Sequence, residues 1–216
     1  DIKIGIVKGD DIYNRIDELI KDGVDFKNLE TGEEFSTIQN KVYSANVYID
    51  SFSIARALDE GAQIVLAGRV SDPGLALGPA IHEFSWKPEQ IDIIAAGTLA
   101  GHITECGAQC TGGNYSRWSE VSDLANIGYP IIEMHENGEF AITKHEGSGG
   151  LVNRQTVSEQ VLYEMGNPEC YISPDVCVDF TSFKLIPNIL LLPNISNISD
   201  GFNNGNVSII ISLSSF

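Results

Sequence analysis

The chain has 216 residues, of which 43% are hydrophobic and 20% are charged, a composition typical of a globular domain rather than a disordered chain. Its formal net charge of −17 argues against binding to nucleic acid or to anionic lipid surfaces through bulk electrostatics. The sequence contains neither a membrane-spanning run of roughly 18 apolar residues nor a secretory signal, so we expect a cytoplasmic or mitochondrial-matrix protein.

Strand-like and helix-like segments alternate through the first half of the chain. Residues 2–7, 42–49 and 64–67 have the composition of strands, and residues 12–20 and 51–58 place apolar side chains at helical spacing. This alternation predicts an α/β fold, with a mostly parallel sheet and helices on both faces in three layers. In such a sheet, ligands bind beyond the carboxyl ends of the strands.

Residues 68–73 follow a predicted strand at such a carboxyl end. Arg69 is one of only 13 basic residues, and we predict that it binds a carboxylate or phosphate; a surface ion pair is the alternative. Asp72 precedes Pro73, a pattern typical of an N-cap followed by the first helical residue. We also count Asp72 among the candidate substrate-binding residues.

Residues 95–113 have the pattern of a helix with a polar stripe, an apolar stripe and a stripe of small residues. Gly97 and Gly101 lie on the small stripe, which predicts close approach of another backbone or of a ligand. The polar stripe consists of Thr98, His102, Glu105 and Gln109. We predict that His102 and Glu105, one turn apart, form an acid–base pair. The alternative is a packed core helix whose polar stripe meets solvent.

Cysteines occur at positions 106, 110, 170 and 177, and in a chain of this length they are not expected to form disulfides. For Cys106 and Cys110 we favour buried thiols on the apolar stripe. Two alternatives remain open, a metal site formed with His102 and a reactive thiol at Cys106. The candidate site includes no metal ligands.

A glycine-rich loop connects a predicted strand to a helix over residues 154–165. Its residues Gly147, Gly149 and Gly150 expose backbone N–H groups, and Lys144 precedes them with a positive charge. We predict that this loop holds a phosphate or a thioester oxygen, although a simple turn is the alternative.

The remaining segments predict a hairpin and an unusual C-terminal end. Residues 131–134 and 140–143 flank Asn-Gly, the preferred pair for a two-residue hairpin turn. The composition changes after residue 182, so we divide the chain into a core over 1–182 and an atypical tail over 183–216, rich in Asn, Ser and Ile. The tail is expected to form short strands or to be poorly ordered. Because the chain enters a strand at once, we expect the core to be N-terminally incomplete.

Several long segments resemble the acyclic terpene utilisation family, AtuA. They are SANVYI at 44–49, GRVSDPGLALGPAIHEFSW at 68–86, AAGTLAGHITECGAQCTGG at 95–113, NIGYPIIE at 126–133, ITKHEGSGGLV at 142–152, TVSEQVLYEM at 156–165 and YISPDVCVDF at 171–180. The resemblance covers residues 1–180. It implies a catabolic role in the degradation of branched acyclic acids as coenzyme A thioesters.

The resemblance leaves two hypotheses about function. The first is a lyase or hydratase that acts on a branched acyl-CoA thioester, with that thioester or the branched acid as ligand and no other cofactor predicted. The second is a non-catalytic subunit or scaffold that partners an acyl-CoA carboxylase or assembles as a homo-oligomer. A nucleotide-binding module is less favoured, because the chain contains no recognised phosphate motif.

Overall fold

The computed structural model describes residues 1–181 together with the backbones of two strands in the C-terminal segment. The helices are α1 (Ile16–Lys21), α2 (Ser51–Asp59), α3 (Gly74–Phe84), α4 (Ile91–Thr104) and α5 (Arg154–Leu162). The strands are β1 (Ile4–Val7), β2 (Ile64–Ala67), β3 (Pro130–Met134), β4 (Phe140–Lys144), β5 (Tyr171–Ile172), β6 (Cys177–Val178), β7 (Phe183–Pro187) and β8 (Val207–Ile211). Within this described part of the chain, every helix is too short or too polar to cross a lipid bilayer.

The strands form three small sheets. Strands β1 and β2 pair in parallel, whereas β3, β4, β8 and β7 form an antiparallel sheet and β5 pairs with β6 in an antiparallel hairpin. The predicted hairpin around Asn137 and Gly138 is confirmed by the β3–β4 pairing and by φ of +85° at Gly138. Helices and strands are both present, but the sheets are small and mixed, so the predicted three-layer, mostly parallel architecture is not confirmed.

Helices cover one face of the parallel pair and leave the other face open among the described residues. Helix α2 packs on β1, where a Cβ added to Gly5 would lie 3.0 Å from the Cβ of Ala57. The opposite face is apolar and exposed, and its side chains are Ile4, Ile6, Ile64 and Leu66. The prediction of helices on both faces is therefore not confirmed for this sheet among the described residues.

The segment over residues 42–49 crosses the carboxyl ends of both parallel strands. It forms only two isolated bridges, one from Asn46 to Asp11 and one from Ile49 to Val70. The N–H of Ile49 donates to the carbonyl of Arg69 at 2.9 Å. The predicted continuous strand is wrong, because these backbone groups bond across the strand ends instead of along one ladder.

Helix α4 is the central element of the core. One apolar cluster packs α4 against α2 and α3 and consists of Ala55, Leu77, Ala80, Ile81, Trp86 and Ile94. The other packs α4 against α5 and β4 and consists of Leu99, Ala100, Ile103, Cys110, Phe140, Ile142, Val152, Val157, Val161, Val178 and Phe180. Because α4 contributes to both clusters, residues 96–103 are buried without interruption, as expected of a helix enclosed on all sides.

The two interior glycines of α4 permit this enclosure. A Cβ on Gly101 would lie 2.4 Å from the carbonyl oxygen of Pro73, and a Cβ on Gly97 would lie 2.5 Å from Cδ1 of Leu77. The predicted close approach of another backbone is thus confirmed at Gly101, where α4 touches the start of α3. At Gly97 the neighbour is a side chain.

Helix α4 ends at Thr104, earlier than the stripe pattern predicts. Glu105 is its C-cap, and the chain then enters a short 3-10 turn over Gly107–Gln109. Gly107 has φ of +56°, a backbone conformation outside the right-handed helical region. The prediction of one continuous helix through Gln109 and Cys110 is therefore wrong.

A disulfide closes the β5–β6 hairpin, and hydrogen bonds attach the hairpin to the start of α2. Cys170 and Cys177 form a disulfide with a Cα–Cα distance of 5.6 Å, contrary to the expectation that the cysteines stay unpaired. Asp175, between the two strands, accepts hydrogen bonds from the N–H and Oγ of Ser51 at 2.8 and 2.7 Å. The hairpin therefore fixes the start of α2, while the side chain of Asp50 caps that helix by accepting from the N–H of Ser53.

The atypical tail contributes two strands, β7 and β8, to the antiparallel sheet that contains β3 and β4. Strand β8 pairs with β4, with residue 209 opposite Phe140, and β7 pairs with β8. These two strands agree with one of the two expectations for the tail. The other tail residues lie outside those that the structure describes.

Candidate functional site

An open cleft of about 900 Å³ lies at the carboxyl ends of β1 and β2, beside α2 and α3. Four polar side chains line one part of it: Asp10, Asn46, Arg69 and Asp72. The structure thus brings together two of the residues proposed from the sequence, Arg69 and Asp72. The location agrees with the rule that ligand sites form beyond the carboxyl ends of parallel strands.

The Asp10 carboxylate is held in place at the strand ends. It accepts a hydrogen bond from Nδ2 of Asn46 at 2.8 Å. The backbone N–H of Arg69 and then this amide hold the pKa of Asp10 below its usual value, so the carboxyl stays ionised. A Cβ on Gly68 would lie 2.0 Å from Oδ1 of Asp10, so only glycine at position 68 permits this placement.

Arg69 faces Asp72 across the cleft mouth. The Nη1 of Arg69 lies 3.6 Å from Oδ1 of Asp72, and the two side chains are 55% and 47% exposed. The guanidinium also lies 5.9 Å from the ring centre of Tyr48. One long ionic contact occupies few of the five guanidinium N–H donors, so Arg69 remains able to bind a ligand oxygen.

Asp72 does not cap α3. The N-cap of that helix is Pro73, and no side-chain cap hydrogen bond forms there. The backbone N–H of Gly74 donates instead to the carbonyl of Ser71 at 2.8 Å. The predicted capping role is therefore wrong, and the Asp72 carboxylate is directed to Arg69.

The rest of the cleft is apolar. Its walls come from α2, β2 and α3, and the side chains are Ile54, Leu58, Val65, Leu75 and Pro79. Leu75 is 68% exposed, so an apolar ligand would cover surface that now faces water. The cleft thus combines a polar end with an apolar wall, which suits an amphipathic ligand.

His102 lies in the core, away from this cleft. Its side chain is 2% exposed, and its Nε2 lies 3.1 Å from the carbonyl oxygen of Val161. Since a carbonyl only accepts, Nε2 carries the proton of the neutral ring. The rings of Tyr171 and Phe180 pack against it with centroids at 5.2 and 5.7 Å. Burial lowers the pKa of His102, so the imidazole stays neutral at physiological pH.

Glu105 and His102 do not open together into the cleft. Glu105 is the half-buried C-cap of α4, and its carboxylate accepts a hydrogen bond from Sγ of Cys106. The residues that line the cleft, within the described part of the chain, include neither member of the predicted acid–base pair. The expected polar stripe facing a cavity is therefore not the geometry found, because Thr98 and His102 bond to carbonyls inside the core.

The glycine-rich loop packs against the chain at residues 111–128. The N–H groups of Ser148, Gly149 and Gly150 donate to carbonyls of His145, Asn126 and Ile127 at 3.2, 2.7 and 3.0 Å. A Cβ on Gly149 or Gly150 would lie 2.3 Å from atoms of Asp123 or Ile127. These glycines therefore serve close backbone packing, and two of the three glycine N–H groups expected to bind an anion, those of Gly149 and Gly150, are already used.

Lys144 is engaged by the same loop. Its Nζ donates to the carbonyl and the Oγ of Ser148 at 2.8 and 3.3 Å. Gly147 has φ of +77°, a turn conformation that favours glycine. Helix α5 starts at Arg154, as predicted, with Asn153 as its cap, so residues 151–153 separate the loop from the helix N-terminus.

Tyr171 is a residue that sequence reasoning missed. Burial raises the pKa of its hydroxyl to about 12, and the nearby carboxylates of Asp72, Glu105 and Glu164 act in the same direction. Tyr171 therefore keeps its proton at neutral pH. No sequence signal placed it there, because it comes from a hairpin 99 residues later in the chain than Asp72.

Asp10 was missed as well, although a signal was present. It follows β1 as Arg69 follows β2, so the strand-end rule applied to both segments would have paired them.

In the part of the chain that the structure describes, no group of three His, Cys, Asp or Glu side chains is arranged to hold a metal ion. This result applies also to the set His102, Cys106 and Cys110, which the sequence left open as a metal site.

Comparison with known proteins gives one family-level finding. Residues 1–188 match the family model described as acyclic terpene utilisation family protein AtuA. No curated protein and no solved structure matches the chain. The matched span includes every residue that lines the cleft. The chain therefore belongs to the AtuA family of acyclic terpene utilisation proteins.

Proposed function

We propose that this chain binds the branched acyl group of an acyclic terpene acid, as the free acid or as its coenzyme A thioester, in the cleft at the ends of β1 and β2. One observation supports this function above the others. The cleft joins the cationic side chain of Arg69 to an apolar wall from α2, β2 and α3, so a carboxyl or thioester oxygen and a hydrocarbon chain are accommodated together.

The reaction class that we propose is a lyase or hydratase. Such a reaction moves a proton next to the thioester carbonyl, so it needs a proton acceptor and donors for the oxygen where charge develops. Arg69 supplies donors, and the carboxylates of Asp10 and Asp72 lie beside it. The burial of His102 is the reason for assigning proton transfer to these carboxylates instead.

The glycine-rich loop is not assigned as a phosphate site, because N–H groups of the loop already donate hydrogen bonds to backbone carbonyls. The cleft itself carries two carboxylates and one guanidinium. That balance disfavours several phosphate charges inside it. The phosphate-bearing part of coenzyme A is therefore expected to lie outside the cleft, with only the acyl chain inside.

The test is binding of a branched acyclic acid to the full-length protein, measured by calorimetry, with the straight-chain acid of equal carbon number for comparison. Arg69→Gln is expected to weaken binding of the branched acid roughly tenfold or more, because a charge-assisted hydrogen bond contributes about 1.5–3 kcal/mol. Arg56→Gln is the matched control: Arg56 is an exposed α2 arginine paired with Glu60 at 3.3 Å and does not line the cleft. Equal affinity of the wild type and Arg69→Gln would refute the assignment.

A second function, as a subunit that partners an acyl-CoA carboxylase, is favoured by the apolar face of the β1–β2 sheet. Parallel sheets are normally covered on both faces, yet Ile4, Ile6, Ile64 and Leu66 are 53%, 62%, 45% and 56% exposed. An apolar face of this kind is a typical protein interface.

Co-elution with the carboxylase subunits in gel filtration tests this second function. Ile4→Glu is expected to abolish co-elution, because burying a carboxylate in an apolar interface is costly. Leu29→Glu is the control, since Leu29 is 95% exposed and lies outside the sheet. A wild-type chain that elutes alone would argue for the acyl-binding enzyme without this partner.

A further inference from the structure

The disulfide between Cys170 and Cys177 lies at the surface of the molecule. Cys177 is exposed and Cys170 is half-buried, so a reductant in solution has access to the bond from the side of Cys177. The other two cysteines are free thiols, of which Cys110 is buried and Cys106 is half-buried. Exposed disulfides are more easily reduced than buried ones and include those that act as redox controls.

This disulfide is a main constraint on the β5–β6 hairpin. The two strands pair over two residue pairs, and the turn adds bonds between Ser173 and Val176, each 3.1 Å long, from one N–H to a carbonyl and from the other to a hydroxyl. A two-stranded hairpin of this length is marginally stable by itself in water. Reduction removes the covalent link between Cys170 and Cys177 and leaves the turn to these few hydrogen bonds.

The closed hairpin holds Asp175 against the start of α2. The carboxylate of Asp175 accepts from the N–H and the Oγ of Ser51 at 2.8 and 2.7 Å. Ser51 is fully buried, so water is not at hand to replace these two bonds. Asp175 lies inside the segment that the disulfide closes, and the disulfide therefore restrains the acceptor on which both groups of Ser51 depend.

The surroundings of Asp175 disfavour its negative charge apart from those two bonds. Burial raises the pKa of Asp175 and the nearby carboxylate of Asp50 acts in the same direction, whereas the hydrogen bonds from Ser51 oppose this. A carboxylate in such a place is better solvated in water once the segment that carries it is released. Opening of the disulfide therefore favours separation of Asp175 from Ser51.

Ser51 lies where α2 and α3 pack together behind the cleft. A Cβ on Gly74, the first residue of α3, would lie 3.3 Å from the Oγ of Ser51. A Cβ on Gly78 would lie 3.1 Å from the carbonyl oxygen of Ser51 and 2.8 Å from the Cβ of Ile54. Ile54 lines the cleft. Because elements packed this closely transmit displacements, a shift at Ser51 moves the wall of the cleft.

We propose that the Cys170–Cys177 disulfide is a redox switch for the cleft, an inference that rests on the acyl-binding function proposed above. In the oxidised chain, Asp175 holds Ser51 and fixes the α2 wall for the ligand. In the reduced chain the hairpin opens, Asp175 leaves Ser51, and the first turn of α2 loses order, so the ligand binds more weakly.

The reductant in this switch is a dithiol. One of its sulfurs, as a thiolate, forms a bond to the sulfur of Cys177, and the sulfur of Cys170 leaves with the bonding pair and takes a proton from solvent. The second sulfur of the dithiol loses its proton, bonds to the first and displaces the sulfur of Cys177, which is then protonated. The dithiol is oxidised to a cyclic disulfide, and the two cysteines gain two electrons and two protons.

Hydrogen exchange of the folded full-length protein, with and without dithiothreitol, tests the switch itself. The amides of α2 (Ser51–Asp59) are expected to exchange roughly tenfold faster or more after reduction, because the N–H of Ser51 loses a charged acceptor. Iodoacetamide labelling is the control: Cys170 and Cys177 are expected to react only after reduction, while the buried Cys110 stays unlabelled because the chain remains folded. A disulfide that resists dithiothreitol in the folded chain, or equal exchange over α2 in both states, would overturn the proposal.

Calorimetry with the branched acyclic acid tests the control of the cleft. The reduced protein is expected to bind the acid roughly tenfold more weakly than the oxidised protein, a coupling of ordinary size between two sites. Equal affinity in the two states would overturn the control of binding. Absence of binding in both states contradicts the acyl-binding function instead, and the hydrogen exchange of α2 then decides the switch by itself.

Three variants identify the connection between the disulfide and α2. Asp175→Ala retains the disulfide, and α2 is expected to exchange fast in both redox states. The double variant Cys170→Ser, Cys177→Ser is expected to behave as the reduced wild type with or without dithiothreitol. Cys106→Ser is the matched control and is expected to keep the wild-type response.

A folded Asp175→Ala protein that responds to dithiothreitol as the wild type does would refute the role of Asp175. If this variant does not fold, the comparison of oxidised and reduced wild type still decides the question.

Discussion

His102 is a core residue whose polar atoms are satisfied by the backbone around it. Its Nε2 bonds to the carbonyl of Val161, and its own carbonyl accepts from Gln160 of the same helix α5. The aromatic rings of Tyr171 and Phe180 cover the imidazole. This side chain therefore joins α4 to α5 and to the β5–β6 hairpin, and its protonation would place a positive charge in the buried core.

The free energy of unfolding is expected to fall as the pH is lowered, in part through His102. Burial places the folded-state pKa below the unfolded value, so the unfolded chain binds a proton that the folded chain does not. The contribution is fully present above the unfolded pKa of about 6.5 and is lost as the pH falls below it. Urea unfolding at about pH 7.5 and about pH 5.5 measures this loss, of which His102 accounts for up to about 1.4 kcal/mol.

His102→Phe is the comparison for this measurement, because it retains an aromatic ring against Tyr171 and Phe180 and has no proton to bind. The variant is expected to lose less stability than the wild type between the two pH values. An identical pH dependence in both proteins would show that His102 is not the group responsible.

The structure brings some of the residues proposed from the sequence together and keeps others apart. Arg69 and Asp72 were identified because a strand end precedes them, and the structure places both in one cleft. His102 and Glu105 were paired by helical spacing alone, and spacing does not reveal whether a stripe faces a cavity or another helix. Every side of α4 is covered, so its polar side chains bond to carbonyls instead of to a ligand.

At the scale of elements, the approach of α4 to α3 depends on Gly101. Gly101→Ala is expected to destabilise the protein by about 1–3 kcal/mol, because the new methyl group would overlap the backbone of Pro73. The higher helix propensity of alanine offsets only about 1 kcal/mol of this. Thermal unfolding followed by circular dichroism measures the change.

Gly166→Ala is the matched control, since a Cβ there would meet no described atom within 4 Å and the residue does not have positive φ. It is expected to leave the melting temperature nearly unchanged. A Gly101→Ala protein as stable as this control would mean that α3 and α4 can separate without cost.

The elements themselves were predicted unevenly. Helical periodicity identified α2, α4 and α5, and the Asn-Gly pair identified the β3–β4 hairpin, because these signals are local in the chain. The segment over 42–49 was predicted as a strand from its composition, yet its N–H groups bond to the ends of two other strands. Local composition cannot indicate which backbone groups are near in space.

For the whole molecule, the net charge of −17 makes repulsion between carboxylates a general destabilising contribution. Raising sodium chloride from about 10 mM to about 150 mM at neutral pH is expected to raise the melting temperature, because the screening length falls from about 30 Å to about 8 Å. Differential scanning calorimetry measures the shift.

The same salt series near pH 5, closer to the pI of about 4.4, is the control, since the net charge is smaller there. The salt effect is expected to shrink at that pH. A melting temperature that does not rise with salt at neutral pH would show that the charges are already balanced locally, as in the exposed pairs of Arg15 with Glu18 and Arg117 with Glu120.

The sequence by itself determined the family, the positions of the main helices and the two glycines at which α4 must be approached closely, because these depend on motifs and on local periodicity. Only the tertiary structure decided that His102 is enclosed and that N–H groups of the loop over 147–150 donate hydrogen bonds to a neighbouring segment. It also decided that Asp10 lies with Arg69 and Asp72 in one cleft. The physical reason is that burial and hydrogen-bond pairing depend on contacts between residues distant in the chain, which composition and spacing do not record.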